Sequence, residues 1–157
     1  MDTTVGVGTT FHLYLPLSLE RIAPGAAPAN AVLSKGAGRI LVVDDVDLVR
    51  ELAKELLETS GLTVITAANG PEALKILETE KQPVDVLFTD YNMPKMTGIE
   101  LIEQVANRWP NTKFILASGY LSETARLRAG EHKTHLVLKP YDMFEVSKVI
   151  TKMLVAA

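Results

Sequence analysis

The residues of this chain that could do chemistry together stand at the ends of four short apolar runs. Arg39-Ile40-Leu41-Val42-Val43 leads into Asp44-Asp45, and Val84-Asp85-Val86-Leu87-Phe88-Thr89 leads into Asp90. Lys113-Phe114-Ile115-Leu116-Ala117 leads into Ser118, and His135-Leu136-Val137-Leu138 leads into Lys139-Pro140. Three carboxylates, a hydroxyl and an ammonium gathered in one place suit a divalent metal and a phosphoryl group. Three anions in one crevice need a cation or a proton, since two unit charges 4 Å apart repel by about 4 kcal/mol at an effective dielectric of 20. Oxygen-only donors favour a hard ion, Mg²⁺ or Mn²⁺, which takes a few carboxylates and leaves room for phosphoryl oxygens. A carboxylate left free beside it can attack phosphorus and form an acyl phosphate. Lys139 and the metal would neutralise the oxygens of the transferring group, with Ser118 as a further hydrogen-bond donor.

Such a gathering requires an architecture that brings distant positions to one edge. Short β-branched and apolar runs without alternation read as parallel strands covered on both faces. From Arg39 onward these runs alternate with helical patterns, which predicts stacked βαβ units: five strands and five helices, an α/β doubly wound parallel sheet. In such a sheet ligands bind beyond the carboxyl ends of the strands, where the strand order reverses. The helices carry their own punctuation. Leu48, Val49, Leu52, Ala53, Leu56 and Leu57 form one apolar stripe, with Gly61 placed as a stop. Gly70-Pro71 opens a second helix, and Thr97-Gly98-Ile99-Glu100 has the pattern of a capping box for a third. A short fourth helix is expected near Ser122–Ala129, and Met143, Val146, Ile150 and Met153 mark the fifth.

Composition narrows the classes. In 157 residues, 47% are hydrophobic and 22% charged, the balance of a globular domain rather than a disordered chain. A net charge of −3 argues against a grip on nucleic acid or on an anionic membrane surface, and zero cysteines exclude thiolate chemistry. No apolar run is long enough to span a bilayer, so the segment reads as cytoplasmic, its parent free to be membrane-anchored. His12, His132 and His135 have no clustered metal partners in the sequence and read as structural. Gly6-Val7-Gly8 has no preceding strand or following helix and is no dinucleotide fingerprint.

Taken in order, Asp44-Asp45, Asp90-Tyr91-Asn92-Met93-Pro94 with Gly98, Ala117-Ser118-Gly119 and Lys139-Pro140 resemble the receiver domain of bacterial two-component response regulators. The likeness covers residues 38–157. It implies a flavodoxin-like five-stranded sheet of order 2-1-3-4-5, with Asp90 as phosphoacceptor. It implies Asp44, Asp45 and Asp90, with the Asn92 backbone carbonyl, as the metal set, and Ser118 and Lys139 as the phosphate-contacting pair. The donor is then a histidine kinase or histidine phosphotransfer protein, and the chain catalyses only its own phosphorylation and dephosphorylation. One position departs from the pattern. Many receivers carry an aromatic residue three before the lysine, where this chain has Leu136; Tyr120, two after Ser118, is a candidate for related work.

Residues 1–16 resemble something else. Gly6-Val7-Gly8-Thr9-Thr10-Phe11 and the alternating Phe11-His12-Leu13-Tyr14-Leu15-Pro16 look like the last glycine motif and closing strand of a histidine-kinase ATP-binding domain. Residues 17–37, rich in Ala, Pro and Gly, read as a flexible linker. A kinase remnant, a linker and a receiver in that order imply the C-terminal piece of a hybrid sensor histidine kinase. The remnant strand alone is expected to be disordered or to pair with another edge. Two rival functions stand beside this one. A haloacid-dehalogenase-like phosphatase also uses an aspartyl phosphate after a strand, but needs a second aspartate where Asn92 stands. A non-phosphorylated interaction module is the other, against which the intact Asp44, Asp45, Asp90 and Lys139 argue.

Overall fold

The computed structural model describes residues 2–4, 6, 8–10, 12, 14 and 38–155, and divides into two units, Met1–Val32 and Leu33–Ala157. In the first unit β1 (Asp2–Thr4) pairs antiparallel with β2 (Gly8–Thr10), with Thr3 opposite Thr9. Gly6 takes a positive φ of 80° between them, a conformation that favours glycine. His12 Nε2 lies 3.0 Å from Asp2 Oδ2. The strand expected over Phe11–Leu15 falls largely outside the described residues, as does the linker 17–37; His12 and Tyr14 carry no strand.

The second unit is the α/β layer sandwich that the apolar runs predict. Its strands are β3 (Arg39–Val43), β4 (Thr63–Ala67), β5 (Val86–Asp90), β6 (Lys113–Ser118) and β7 (His135–Leu138). They pair in parallel in the order β4-β3-β5-β6-β7, so the chain reverses direction across the sheet between β3 and β5. The helices between and after them are α1 (Asp47–Thr59), α2 (Gly70–Thr79), α3 (Gly98–Arg108), α4 (Glu123–Glu131) and α5 (Met143–Val155).

Alternation along each strand sorts the core into two layers. Leu41, Val43, Leu87, Phe114 and Leu116 face α2, α3 and α4, which supply Ala73, Leu77, Ile99, Ile102, Val105, Ala125 and Ala129. Ile40, Val42, Val86, Phe88 and Ile115 face α1 and α5, which supply Ala53, Leu57, Val146 and Ile150. β5 lies in the middle with all five residues buried, which is why it reads as an unbroken apolar run ending in Asp90.

Helix boundaries follow the expected caps. Thr97 Oγ1 accepts from Glu100 N at 3.4 Å while the Glu100 carboxylate accepts from Thr97 N at 2.8 Å, a complete capping box. Asn69 caps α2 through Glu72 N, with Pro71 in its first turn, and Ser122 caps α4 through Ala125 N. Gly61 closes the turn after α1 at φ 82°. The apolar stripe of α1 needs correction, because it is only half used by the core. Ala53 and Leu57 are buried, whereas Leu48 and Leu52 are 72% and 53% exposed and Leu56 is also open. Periodicity reports an apolar face but not what covers it.

α4 buries only Ala125 and Ala129. Arg128 ties it to α3, donating from Nε and Nη2 to Glu103 Oε1 and Oε2 at 2.7 and 2.8 Å. The Arg128 hydrogen bonds hold the Glu103 carboxyl below its ordinary range, against an opposing push from burial. A depressed carboxylate stabilises the fold above its unfolded pKa and loses that contribution as pH falls through the folded one. Both side chains are partly solvated, so Glu103→Gln is expected to cost about 0.5 kcal/mol at neutral pH and nearly nothing in acid. Urea unfolding of both proteins at the two pH values checks this; an equal penalty at both would contradict it.

Candidate functional site

Because the strands are parallel and in register, their carboxyl ends share one rim. Asp44 follows β3, and Asp90, Ser118 and Leu138-Lys139 close β5, β6 and β7. Lys139 N donates to Ser118 O at 2.9 Å, so the backbone itself locks these two site residues side by side. The Lys139–Pro140 peptide is cis.

The structure brings Asp44, Asp90 and Lys139 into contact. Lys139 Nζ lies 2.9 Å from Asp90 Oδ1 and 3.5 Å from Asp44 Oδ2. Asp44 and Asp90 are 3% and 7% exposed, which for aspartates demands compensation, and the shared ammonium supplies it. Asp44 Oδ1 also accepts from Val46 N at 2.9 Å, and Arg50 donates to the Asp44 carbonyl at 2.6 Å. Burial alone would lower the Lys139 pKa; the Asp90 hydrogen bond, followed by the charges of Asp90 and Asp44, outweighs it and raises the pKa above the ordinary lysine value.

The other predicted residues sit at the same rim without joining that contact. Ser118 is buried, and its hydroxyl donates to Tyr120 O at 2.6 Å while accepting from Tyr120 N at 3.2 Å. Its proton is therefore directed along its own loop. Asp45 and Asn92 are solvent-exposed. Among the described residues, no three acidic or imidazole side chains converge closely enough to cage a metal ion. The donor set still fits a hard divalent cation, since such ions take one or two carboxylates and fill the rest with carbonyl, water and phosphate oxygens.

Two further features of the site concern Gly98, whose place the motif marks but whose contact it does not reveal, and Tyr141, which no motif marks. Gly98, first residue of α3, passes so near the end of β5 that a Cβ there would lie 2.1 Å from Asp90 O and 2.8 Å from Leu116 Cδ1. Tyr141, just past Pro140, packs its ring edge-on to Phe88 with centroids 5.8 Å apart. It lines a cavity of about 670 Å³ that runs from Lys139 along α1 past Val49, Leu52 and Leu56.

A doubly wound α/β sheet with an aspartate and a lysine paired at its switch point defines a phosphoryl- and cation-handling class of domain. Residues 40–151 match the family model of the response regulator receiver domain, and the chain belongs to that family, whose general function is to accept a phosphoryl group. The chain is 34% identical to the sensor kinase CckA of Brucella abortus over 98% of its own length and 17% of that protein. It is 30% identical to the sensor protein TorS of Escherichia coli over 88% of its length and 15% of that protein. The chain thus spans about a sixth of these relatives. Among solved structures, the receiver domain of the hybrid histidine kinase CckA matches with a TM-score of 0.63 and 32% identity, over 74% of this chain and 99% of that one. The response regulator TrrA of Thermotoga maritima, in complex with Mg²⁺ and BeF, matches with a TM-score of 0.65 and 32% identity, over 74% and 98%. No helix among the described residues is long and apolar enough to cross a membrane.

Proposed function

We propose that Asp90 is the phosphoacceptor of this receiver and takes its phosphoryl group from the phosphohistidine of a histidine kinase or a histidine phosphotransfer protein. The observation that carries the reading is the Lys139 ammonium seated on Asp90 and Asp44 at the carboxyl ends of the strands. An Asp90 carboxylate oxygen attacks phosphorus, the P–N bond breaks, and the imidazole leaves with the electron pair. Lys139 holds its positive charge where oxygens of the transferring group accumulate negative charge. Ser118 can reach the same oxygens once its hydroxyl leaves Tyr120 O. Mg²⁺, held by Asp44, Asp45, Asp90 and the Asn92 carbonyl, would supply further charge neutralisation when bound; the Mg²⁺–BeF complex of TrrA supports this.

The longer context is part of the same reading. The alignment with CckA covers nearly the whole chain, which supports residues 1–16 as the end of a kinase ATP-binding domain, 17–37 as a linker and 38–157 as a receiver of a hybrid sensor kinase. Intact-mass spectrometry after incubation with acetyl phosphate and Mg²⁺ tests the acceptor. A gain of about 80 Da is expected for the native chain and none for Asp90→Asn. An adduct that survives in Asp90→Asn, or none in the native chain, overturns the assignment.

A further inference from the structure

Arg50 stands where elementary electrostatics argue against it. It is the fourth residue of α1, near the positive end of the helix dipole, where anions are favoured and cations are not. Its side chain is only 16% exposed, and its guanidinium touches the backbone of Asp44, a residue of the proposed cation site. A fixed positive charge in that place repels a divalent ion. Charge therefore does not explain the residue; what its donors hold does.

The guanidinium spans the turn between β3 and α1. Nη1 donates to Asp44 O at 2.6 Å, and Nη2 donates to Asp47 Oδ1. Two donors fixed in one plane are what arginine has and lysine lacks. The helix start brings no brace of its own, since Val46 at the N-cap makes no side-chain cap. The other polar atoms of Asp44 are engaged too. Its N donates to Ala67 O at 3.3 Å, Oδ1 accepts from Val46 N and Oδ2 from Lys139. The carbonyl that Arg50 holds belongs to the peptide joining Asp44 to Asp45. Fixing that peptide sets the direction in which Asp45 leaves the strand. Asp45 is solvent-exposed, so packing does not aim it.

We propose that Arg50 is a positioning residue for the divalent cation. By locking the Asp44–Asp45 peptide it keeps both carboxylates turned toward one ion, and this gain outweighs the repulsion from its own charge. The inference rests on Asp44 and Asp45 being metal ligands. It reverses the sign expected of a bare charge. Removing a mere cation would tighten metal binding, whereas removing a brace weakens it.

Titration of the metal-free chain with Mn²⁺, which takes the same oxygen donors, tests this through water-proton relaxation, without any phosphoryl transfer. Arg50→Gln is expected to raise the Mn²⁺ Kd about tenfold. Arg50→Lys keeps the charge without the planar fork and is expected to raise it about threefold. Asp47→Asn loosens the far end of the fork, leaves the Asp44 carbonyl bond in place, and should stay within about twofold of native. Melting in metal-free buffer verifies that each variant is folded. Native or tighter binding in Arg50→Gln overturns the inference, as does a fall in Asp47→Asn as large as that in Arg50→Gln. Should Arg50→Gln not fold, Arg50→Lys decides, and native affinity there overturns the inference equally. A native chain that binds no Mn²⁺ would sink the metal set itself, and the role of Arg50 with it.

Discussion

Gly98→Ala is expected to lower the melting temperature by about 10 °C or more and to cut acetyl phosphate labelling of Asp90 at least about tenfold. The added Cβ would stand 2.1 Å from Asp90 O and 3.0 Å from Asp90 C, far inside van der Waals contact and against backbone rather than a pliable side chain. Relief requires α3 and the end of β5 to separate. Tyr91 O accepts from Gly98 N at 3.0 Å, and Tyr91 N donates to Ala117 O at 2.8 Å, so separation also strains the rung that fixes Asp90 against β6. Overpacking a tight core costs about 1–3 kcal/mol and more where backbone must move. Two other glycines calibrate the effect. At Gly70 the obstruction is the Met96 side chain, which is flexible, so Gly70→Ala is expected to cost less. Around Gly119 nothing lies within 4 Å, and Gly119→Ala should leave stability nearly unchanged. Thermal melts and labelling of the three variants check the ranking; Gly98→Ala behaving like Gly119→Ala would show that the close approach is not rigid.

Some of this architecture was legible from residue order and some was not, for reasons that differ by element. β3, β5, β6 and β7 announce themselves because each apolar run stops at a polar site residue. β4 has no such residue, and Thr63-Val64-Ile65-Thr66-Ala67 at a sheet edge blends into its surroundings. The β1–β2 hairpin is exposed throughout; Thr3–Thr9 and His12–Asp2 contacts join its two sides, and no apolar pattern signals it. For α1, the spacing of leucines shows where an apolar face lies, but Leu52 and Leu56 border an open cavity instead of the core. Side-chain direction is the least legible property of all. The type and place of Ser118 follow from its strand, while the bond of its hydroxyl to Tyr120 O depends on how one loop turns. Likewise the pairing of Lys139 with Asp44 spans 95 residues of sequence and is visible only once the sheet order is fixed.

Lys139→Met tests the electrostatic centre of the site. Its ammonium now lies 2.9 Å from one nearly buried carboxylate and 3.5 Å from another, and methionine would preserve the stem while removing the charge. Removing one partner from a buried ion pair costs about 3–5 kcal/mol; with the lysine side chain 34% exposed, about 2 kcal/mol is expected here. The raised Lys139 pKa keeps the ammonium charged throughout the neutral range, so the native advantage is fully present there. It is lost only as pH climbs through that elevated value. Mg²⁺ supplies an independent check. A divalent ion bound near Asp44 and Asp90 replaces the missing charge in the variant but adds to an existing one in the native chain. Mg²⁺ is therefore expected to raise the melting temperature of Lys139→Met more than that of the native protein. Labelling should not recover in parallel, because loss of a preorganised donor to the transferring group costs about two orders of magnitude in rate. A variant that melts with the native chain in the absence of Mg²⁺ would mean that Asp44 and Asp90 are neutralised by something other than Lys139, and restored labelling in Mg²⁺ would reduce the lysine to a structural counter-ion.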